Sequence, residues 1–481
     1  MHEDPIKASD HRLQALRHRA RDELARIAHP QRPWTIPHPG PDGTPILDVL
    51  IVGAGQSGIA AGFGLQRAQV TNFLIVDQAE RGMEGPWLTY ARMRTLRSPK
   101  EFTGPDLDIP ALTYQTWHEE KFGKQDWDDL NLIPREDWAE YLLWLRDTLD
   151  LPVDNGVSLA GVAPWDDYLA VTLRDAAGDE QVRYTRKLVL ATGQDSLGRW
   201  TMPSFIADLP SALRAHTADP IDFSALRNKC VAVLGAGASA FDNAAMALEA
   251  GAKEVHLFCR RPDLQLVQPY LWLTFTGFLC HFSELDDAWK WRIMQHVLSL
   301  REGFPQATWD RCARHPNFFL HTQSPWTDAR AHAGGVELTI PTGTFQADFA
   351  ICGTGIEIDP GARPELSRVA YNIASWGDRY APPPDECNPR LSRFPYLGTD
   401  YTLQEKTPGL TPWLRHIHLF SIASTMSFGP SGSSINAMKF AVPKLVSGIT
   451  SHLFRDDIEV YWDDLLRYDV RQAEIRWPSR A

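Results

Sequence analysis

The chain is poor in paired cysteines. Its six cysteines, at 230, 259, 280, 312, 352 and 387, are scattered through 481 residues. None forms a Cys-x-x-Cys pair, which argues against a thioredoxin-type redox disulfide and against a zinc site, so no metal is expected. Few, dispersed thiols suit a reducing compartment, and a cytoplasmic location is expected. No run of about 18 apolar residues occurs, so no membrane span is expected. The first residues, MHEDPIKASDHRLQALRHRARDE, are charged and lack the apolar centre of a secretory signal. Positive charge is also in deficit: 48 Lys and Arg face 60 Asp and Glu, a formal net charge of -12. A nucleic-acid binder needs a basic face that displaces counterions, so that class is set aside. What remains is an ordinary globular composition, 43% hydrophobic and 22% charged, long enough for two or three domains.

Leu13, Leu16, Leu24 and Ile27 recur at roughly helical spacing, which predicts a helix over 10–28. A Pro/Gly-rich stretch follows. Residues 1–45 are therefore read as a helical extension and linker, packed on the body or covering a site entrance. The body opens on a short buried strand, LDVLIV, that runs into glycines. YLAVTLRD and EQVRYTRKLVLATG flank an AAGD turn and read as antiparallel strands. CVAVLGAG at 230–237 then repeats the opening theme, and this pair of strand–glycine–helix units is the chain's one internal repeat.

The first unit carries Gly53-Ala-Gly55-Gln56-Ser57-Gly58. In such a loop the first glycine makes the tight turn, the second lets backbone approach a pyrophosphate, and the third allows close helix–strand packing. The helix N-terminus offers unpaired N–H groups to phosphate. Asp77 closes the next strand, where an acid accepts hydrogen bonds from a ribose diol. The second unit carries Gly235-Ala-Gly237-Ala238-Ser239-Ala240, with alanine at a position read as needing only a small residue. Its next strand ends in Arg260 and Arg261, cations that favour a 2′-phosphate. Two fingerprints imply two dinucleotides. Asp77 suits FAD and the arginines suit NADPH.

With these motifs the sequence resembles the flavin-containing monooxygenase superfamily, over roughly residues 46–450. Glu84-Gly-Pro-Trp87 looks like that group's GGxW segment. Leu96-Arg97-Ser-Pro-Lys-Glu101 resembles the segment beside the isoalloxazine ring. Ala191-Thr192-Gly193 and Cys352-Gly-Thr-Gly355 look like its interdomain exits, and Gly429-Pro-Ser-Gly-Ser433-Ser434 resembles the helix start near the flavin pyrimidine. The family's linker motif survives here only as His216, either ordering the linker or lying on the surface. Arg97 replaces an asparagine common in the heteroatom-oxidising members. It is the candidate catalytic residue, stabilising an oxygen anion or binding a substrate carboxylate, unless it merely pairs with an acid.

The resemblance implies an α/β fold of two Rossmann-like dinucleotide-binding domains, the NADP domain inserted into the FAD domain. The expected segments are 46–200 for the first part of the FAD domain and 201–347 for the NADP domain with an aromatic-rich helical insertion. Residues 348–481 complete the FAD domain and tail. The implied reaction uses NADPH and O2 to oxygenate a small organic substrate at nitrogen or sulfur. A Baeyer–Villiger oxidation and an NADPH-dependent flavin reductase without oxygen insertion are the alternatives. Trp272, Phe275, Phe278, Phe282, Trp289, Trp291 and Trp309 either wall an apolar pocket or build a helical core or homodimer contact.

Overall fold

Two parallel sheets organise the chain, and each begins where the sequence places an apolar run against glycines. The computed structural model describes all residues except 1–4, 29, 42, 195, 301, 333 and 476–481. In the first sheet, β1 (Leu47–Val52) lies between β2 (Phe73–Asp77) and β6 (Glu180–Leu190). The short β3 (Val153–Asn155) flanks β2, and all these pairings are parallel. The outer strands β4 (Val157–Trp165) and β5 (Tyr168–Asp175) continue antiparallel from the N-terminal half of β6. This matches the alternation read around the AAGD turn. Leu47–Val52 is buried on both faces, as a parallel strand covered by helices requires. Helix α2 (Gln56–Arg67) covers one face and is itself covered by the helix Met438–Asp456.

The chain leaves this sheet after β6 through β7 (Gly198–Trp200). It then builds a second sheet from β8 (Arg214–His216), β9 (Cys230–Leu234), β10 (Glu254–Phe258) and β11 (Phe318–His321). The order is β11-β10-β9-β15-β8, all parallel, with β15 spanning Phe349–Cys352. Strands β12 (Asp328–His332), β13 (Gly335–Ile340) and β14 (Gly343–Ala347) form an antiparallel cover. The return is made by β16 (Ile356–Ile358), antiparallel to β7, and β17 (Ile417–Leu419) finally pairs parallel with the C-terminal half of β6.

One expected boundary moves. Residues 349–352, assigned with the closing segment, form the strand between β9 and β8, because their fully apolar FAIC run fits a sheet interior. The aromatic stretch divides. Phe278, Phe282 and Trp291 are buried in the core of the first sheet, whereas Trp309 packs on Phe241 and Phe304 under the second. Trp272, Phe275 and Trp289 are exposed. The N-terminal helix α1 (Pro5–Ile27) packs on the body. Leu16 and Ala20 are buried, and Arg21 donates to the Thr148 carbonyl at 3.0 Å, near the end of the helix Arg135–Thr148. Burial of a leucine contributes about 1.5–3 kcal/mol, enough to dock one face of this otherwise polar helix. His216 is buried on β8, its ring tilted against Trp200 of β7 at 5.2 Å, and its Nδ1 accepts from the Ala218 N–H. Burial lowers its pKa, so a neutral ring orders the link.

Candidate active site

The first glycine loop joins the C-terminal end of β1 to α2. Gly53 has φ 105, a conformation that costs side-chain-bearing residues energy, and its N–H donates to Val76 of β2. A Cβ on Gly58 would lie 1.8 Å from the Gly53 carbonyl oxygen, so α2 starts as close to the turn as backbone permits. Gly55 faces Gly85 across a gap that a side chain on either would fill. Around this gap three side-chain atoms are buried without a hydrogen-bond partner among the described residues: Gln56 Oε1, Trp87 Nε1 and Thr192 Oγ1. An orphaned buried polar atom costs about 1–3 kcal/mol. Three of them beside one helix N-terminus form a cradle for a polar ligand. The residues fit a dinucleotide there.

Several of the side chains expected at the ligand also hold the scaffold. Gln56 Nε2 donates to the Ser433 carbonyl at 2.8 Å and Ser57 Oγ to the Gly432 carbonyl at 3.0 Å, which fixes the C-terminal glycine-rich turn over α2. Asp77 stands at the end of β2 as expected, but its two oxygens accept from the Ala54 and Ala79 N–H groups at 2.7 and 2.8 Å. Burial pushes its pKa up, and the two N–H bonds oppose that shift. Its first duty is thus to hold the loop. Behind it, Glu84 accepts from Arg146 and Asn155, each at 2.7 Å, a buried charge network that no motif announced.

The second loop joins β9 to the helix Ala238–Glu249. Gly235 repeats the turn of Gly53, with φ 118. Gly237 and Ser239 are exposed, Ala238 is buried, and no atom crowds the Gly237 Cα, so this helix N-terminus is open to a phosphate. Arg260, at the end of β10, is exposed and makes no ion pair among the described residues. Arg261 is committed elsewhere, donating to the carbonyls of Ser299 and Leu300. Gly355 belongs to the β7–β16 link, where its carbonyl accepts from the Thr201 N–H. Among the described residues one group could hold a metal ion: Cys230 of β9 with Glu254 and His256 of β10, whose donor atoms lie within 4.8 Å of one another. Spacing in sequence hid it, because neighbouring strands supply the donors.

A cavity of about 360 Å³ is lined among others by Ser98, Gln194, Tyr270, Glu302, Arg390 and Ser433, the last of these on the turn that Gln56 holds. Arg97, the expected catalytic residue, does not serve it. Its guanidinium donates to Asp242 at 2.9 Å and to Glu302 at 2.9 Å. Burial lowers its pKa, yet the two carboxylates outweigh burial and raise it, so the charge is permanent and neutralised. Asp242, 3% exposed, also accepts from Thr308 and Arg311. Arg97 therefore clasps the first unit to the second. Asp242, Glu302, Tyr270 and Arg390 went unread in the sequence: Asp242 sits in an apolar helix, and the others lie outside any glycine motif.

Comparison with known proteins decides the family. The chain is 39% identical over 468 residues, 97% of its length and 98% of the relative's, to the FAD-dependent urate hydroxylase of Xanthomonas campestris pv. campestris. The chain belongs to the flavin-containing monooxygenase superfamily. It is a flavoprotein monooxygenase. Residues 50–274 of this monooxygenase also match the pyridine nucleotide-disulphide oxidoreductase family. Its fold is similar to that of ornithine hydroxylase from Pseudomonas aeruginosa (TM-score 0.65, 18% identity, covering 85% of this chain and 100% of that one). It is likewise similar to the FAD-bound cadaverine monooxygenase of Erwinia amylovora (TM-score 0.64, 15% identity, 91% and 99%). No helix among the described residues is long and apolar enough to cross a membrane.

Proposed function

We propose that this monooxygenase hydroxylates urate or a closely similar oxopurine, with FAD held at the first glycine loop and NADPH at the second. The observation that carries this reading is near full-length identity of 39% to a urate hydroxylase. A cavity large enough for a purine-sized molecule is lined by Ser433, on the turn bonded to α2, and by Ile356, next to Gly355. On this reading the first sheet and its loop are a Rossmann-like FAD domain, and the second sheet is an inserted Rossmann-like NADP domain. Bound FAD, reduced by NADPH, would supply the activation of O2, one oxygen atom passing to the substrate and the other leaving as water. The chain's own residues then have three tasks. The N-terminus of α2, with Trp87 and Thr192, holds and orients the flavin cofactor. The Gln56–Ser433 and Ser57–Gly432 bonds fix the turn above it. The walls of Leu298, Ile356 and Phe394 exclude water from the cavity. A Baeyer–Villiger reading rested on Arg97, and the neutralised guanidinium gives it no support.

The test is stoichiometric. With urate present, NADPH oxidised, O2 consumed and hydroxylated product formed should stand at one to one to one, with one atom of labelled dioxygen in the product. Quantitative hydrogen peroxide with unchanged urate would instead support the reductase alternative. The NADPH site makes its own prediction. Arg260→Ala should raise the KM for NADPH roughly 10- to 100-fold, the value of a charge-assisted contact, and leave that for NADH nearly unchanged. Arg261→Ala should act less on nucleotide affinity, because its hydrogen bonds are spent on the carbonyls of Ser299 and Leu300. Equal KM values for NADPH in wild type and Arg260→Ala would remove Arg260 from the 2′-phosphate.

A further inference from the structure

We propose that Arg390 is the anchor for an anionic substrate, and that the cavity selects the negatively charged form of a planar oxopurine. This rests on the urate reading above. The cavity is lined by two charged side chains, Glu302 and Arg390. The first is consumed: Glu302 Oε2 accepts from Arg97 at 2.9 Å and Oε1 from Gln268 at 3.3 Å. Arg390 has no ion pair and no side-chain hydrogen bond among the described residues. Its position is nevertheless fixed. Asn388 Oδ1 accepts the backbone N–H groups of Arg390 at 3.1 Å and Leu391 at 3.3 Å, and the Leu391 side chain is buried in the core. A rigid backbone thus presents a guanidinium with five unused donors to a space also lined by the apolar Leu298, Ile356 and Phe394, by Tyr270, and by the polar Ser98, Gln194 and Ser433.

The electrostatic surroundings call for an anion. Burial lowers the pKa of Arg390, Tyr270 opposes that shift, and Arg260 adds to it by repulsion. A guanidinium disfavoured by both burial and Arg260, with no ion pair among the described residues, is stabilised by negative charge from a ligand. Two sources exist: the 2′-phosphate of NADPH and the substrate. Arg260 lies at the end of β10, beside the second glycine loop, and takes the phosphate. Arg390 comes from the loop 384–393, outside the second sheet, and lines the cavity itself, so the substrate is its partner. Urate in neutral water is a monoanion with adjacent ring oxygen and nitrogen acceptors. A planar guanidinium can meet such an edge with two parallel hydrogen bonds, which a lysine cannot reproduce.

The experiment compares wild type, Arg390→Gln and Arg390→Lys, each FAD-loaded, by steady-state kinetics and by calorimetric titration with urate. Arg390→Gln is expected to raise the urate KM and dissociation constant roughly 10- to 100-fold, with Arg390→Lys recovering part of the loss. The KM for NADPH should stay within about twofold. In wild type the urate KM should climb as pH falls and urate is protonated; Arg390→Gln should flatten that profile, which a folding defect would not do. Wild-type turnover with an unchanged urate KM in Arg390→Gln overturns the assignment and leaves the urate reading standing. A raised KM for NADPH with unchanged urate affinity overturns it in favour of the 2′-phosphate. Wild type that neither binds nor oxidises urate overturns the urate reading and, with it, this anchor.

Discussion

Gly58→Ala is expected to yield protein that purifies with little flavin. The new Cβ would stand 1.8 Å from the Gly53 carbonyl oxygen, 2.9 Å from its carbon and 3.5 Å from Ile51. Carbon and oxygen do not approach closer than about 3 Å without strain, and overpacking of this kind costs roughly 1–3 kcal/mol or more. Neither neighbour is a flexible side chain that can swing away. The start of α2 must shift outward, and that start aligns the N–H groups with the cofactor phosphates. The ratio of flavin to protein absorbance should fall at least about tenfold, the equivalent of roughly 1.4 kcal/mol of affinity. Full flavin content in the variant would show that the loop gives way freely. The converse change in the second loop, Ala240→Gly, should be mild. Alanine already sits there against Gly353, and the loss is of the order of a glycine in a helix, about 1 kcal/mol.

Arg97→Met should behave as a stability variant before it behaves as a catalytic one. It leaves the buried Asp242 carboxylate with only the longer contacts to Thr308 and Arg311, and strips Glu302 of its ion-pair partner, leaving the hydrogen bond from Gln268. Breaking one half of a buried ion pair costs about 3–5 kcal/mol, and the partial exposure of Glu302 places this case towards the lower end. Thermal unfolding should begin several degrees lower. Arg97→Met/Asp242→Asn should regain much of the loss, since the orphaned charge is then absent. Were Arg97 to act on the reacting oxygen, kcat would collapse with the melting curve unmoved, and the second substitution would rescue nothing.

The parts of the fold legible in the sequence are those where local chemistry has few solutions. LDVLIV before Gly53 and CVAVL before Gly235 can only be buried strands meeting tight turns, and both sheets are centred on them. The AAGD turn between alternating strands was equally plain. The divided fate of the aromatics was not, because Phe278 and Trp309 carry the same local signal and are sorted by which sheet lies opposite. The site follows the same rule. Backbone requirements at Gly53, Gly58 and Gly235 could be read, since no other residue meets them. Partners could not. Arg97 looked reactive until Asp242 and Glu302, distant in sequence, were seen to hold it. Arg390 looked ordinary because what distinguishes it is the lack of a neighbour. Alanine at position 240 suggested that any small residue serves as the third member of such a loop, yet the contact at Gly58 shows that the two loops differ in how closely helix meets turn.

The parallel pairing of β17 with β6 has a consequence for biosynthesis. Leu188 waits for Ile417, and everything between them, including the whole second sheet, leaves the ribosome first. The second sheet closes through pairings that all lie within this excursion, so it can assemble while the first still lacks a strand. Until Ile417–Leu419 arrives, the C-terminal half of β6 keeps an open edge made of Leu188, Val189 and Leu190, apolar and able to pair with another nascent chain. The last strand of the sheet therefore also ends the period in which this protein is most exposed to aggregation.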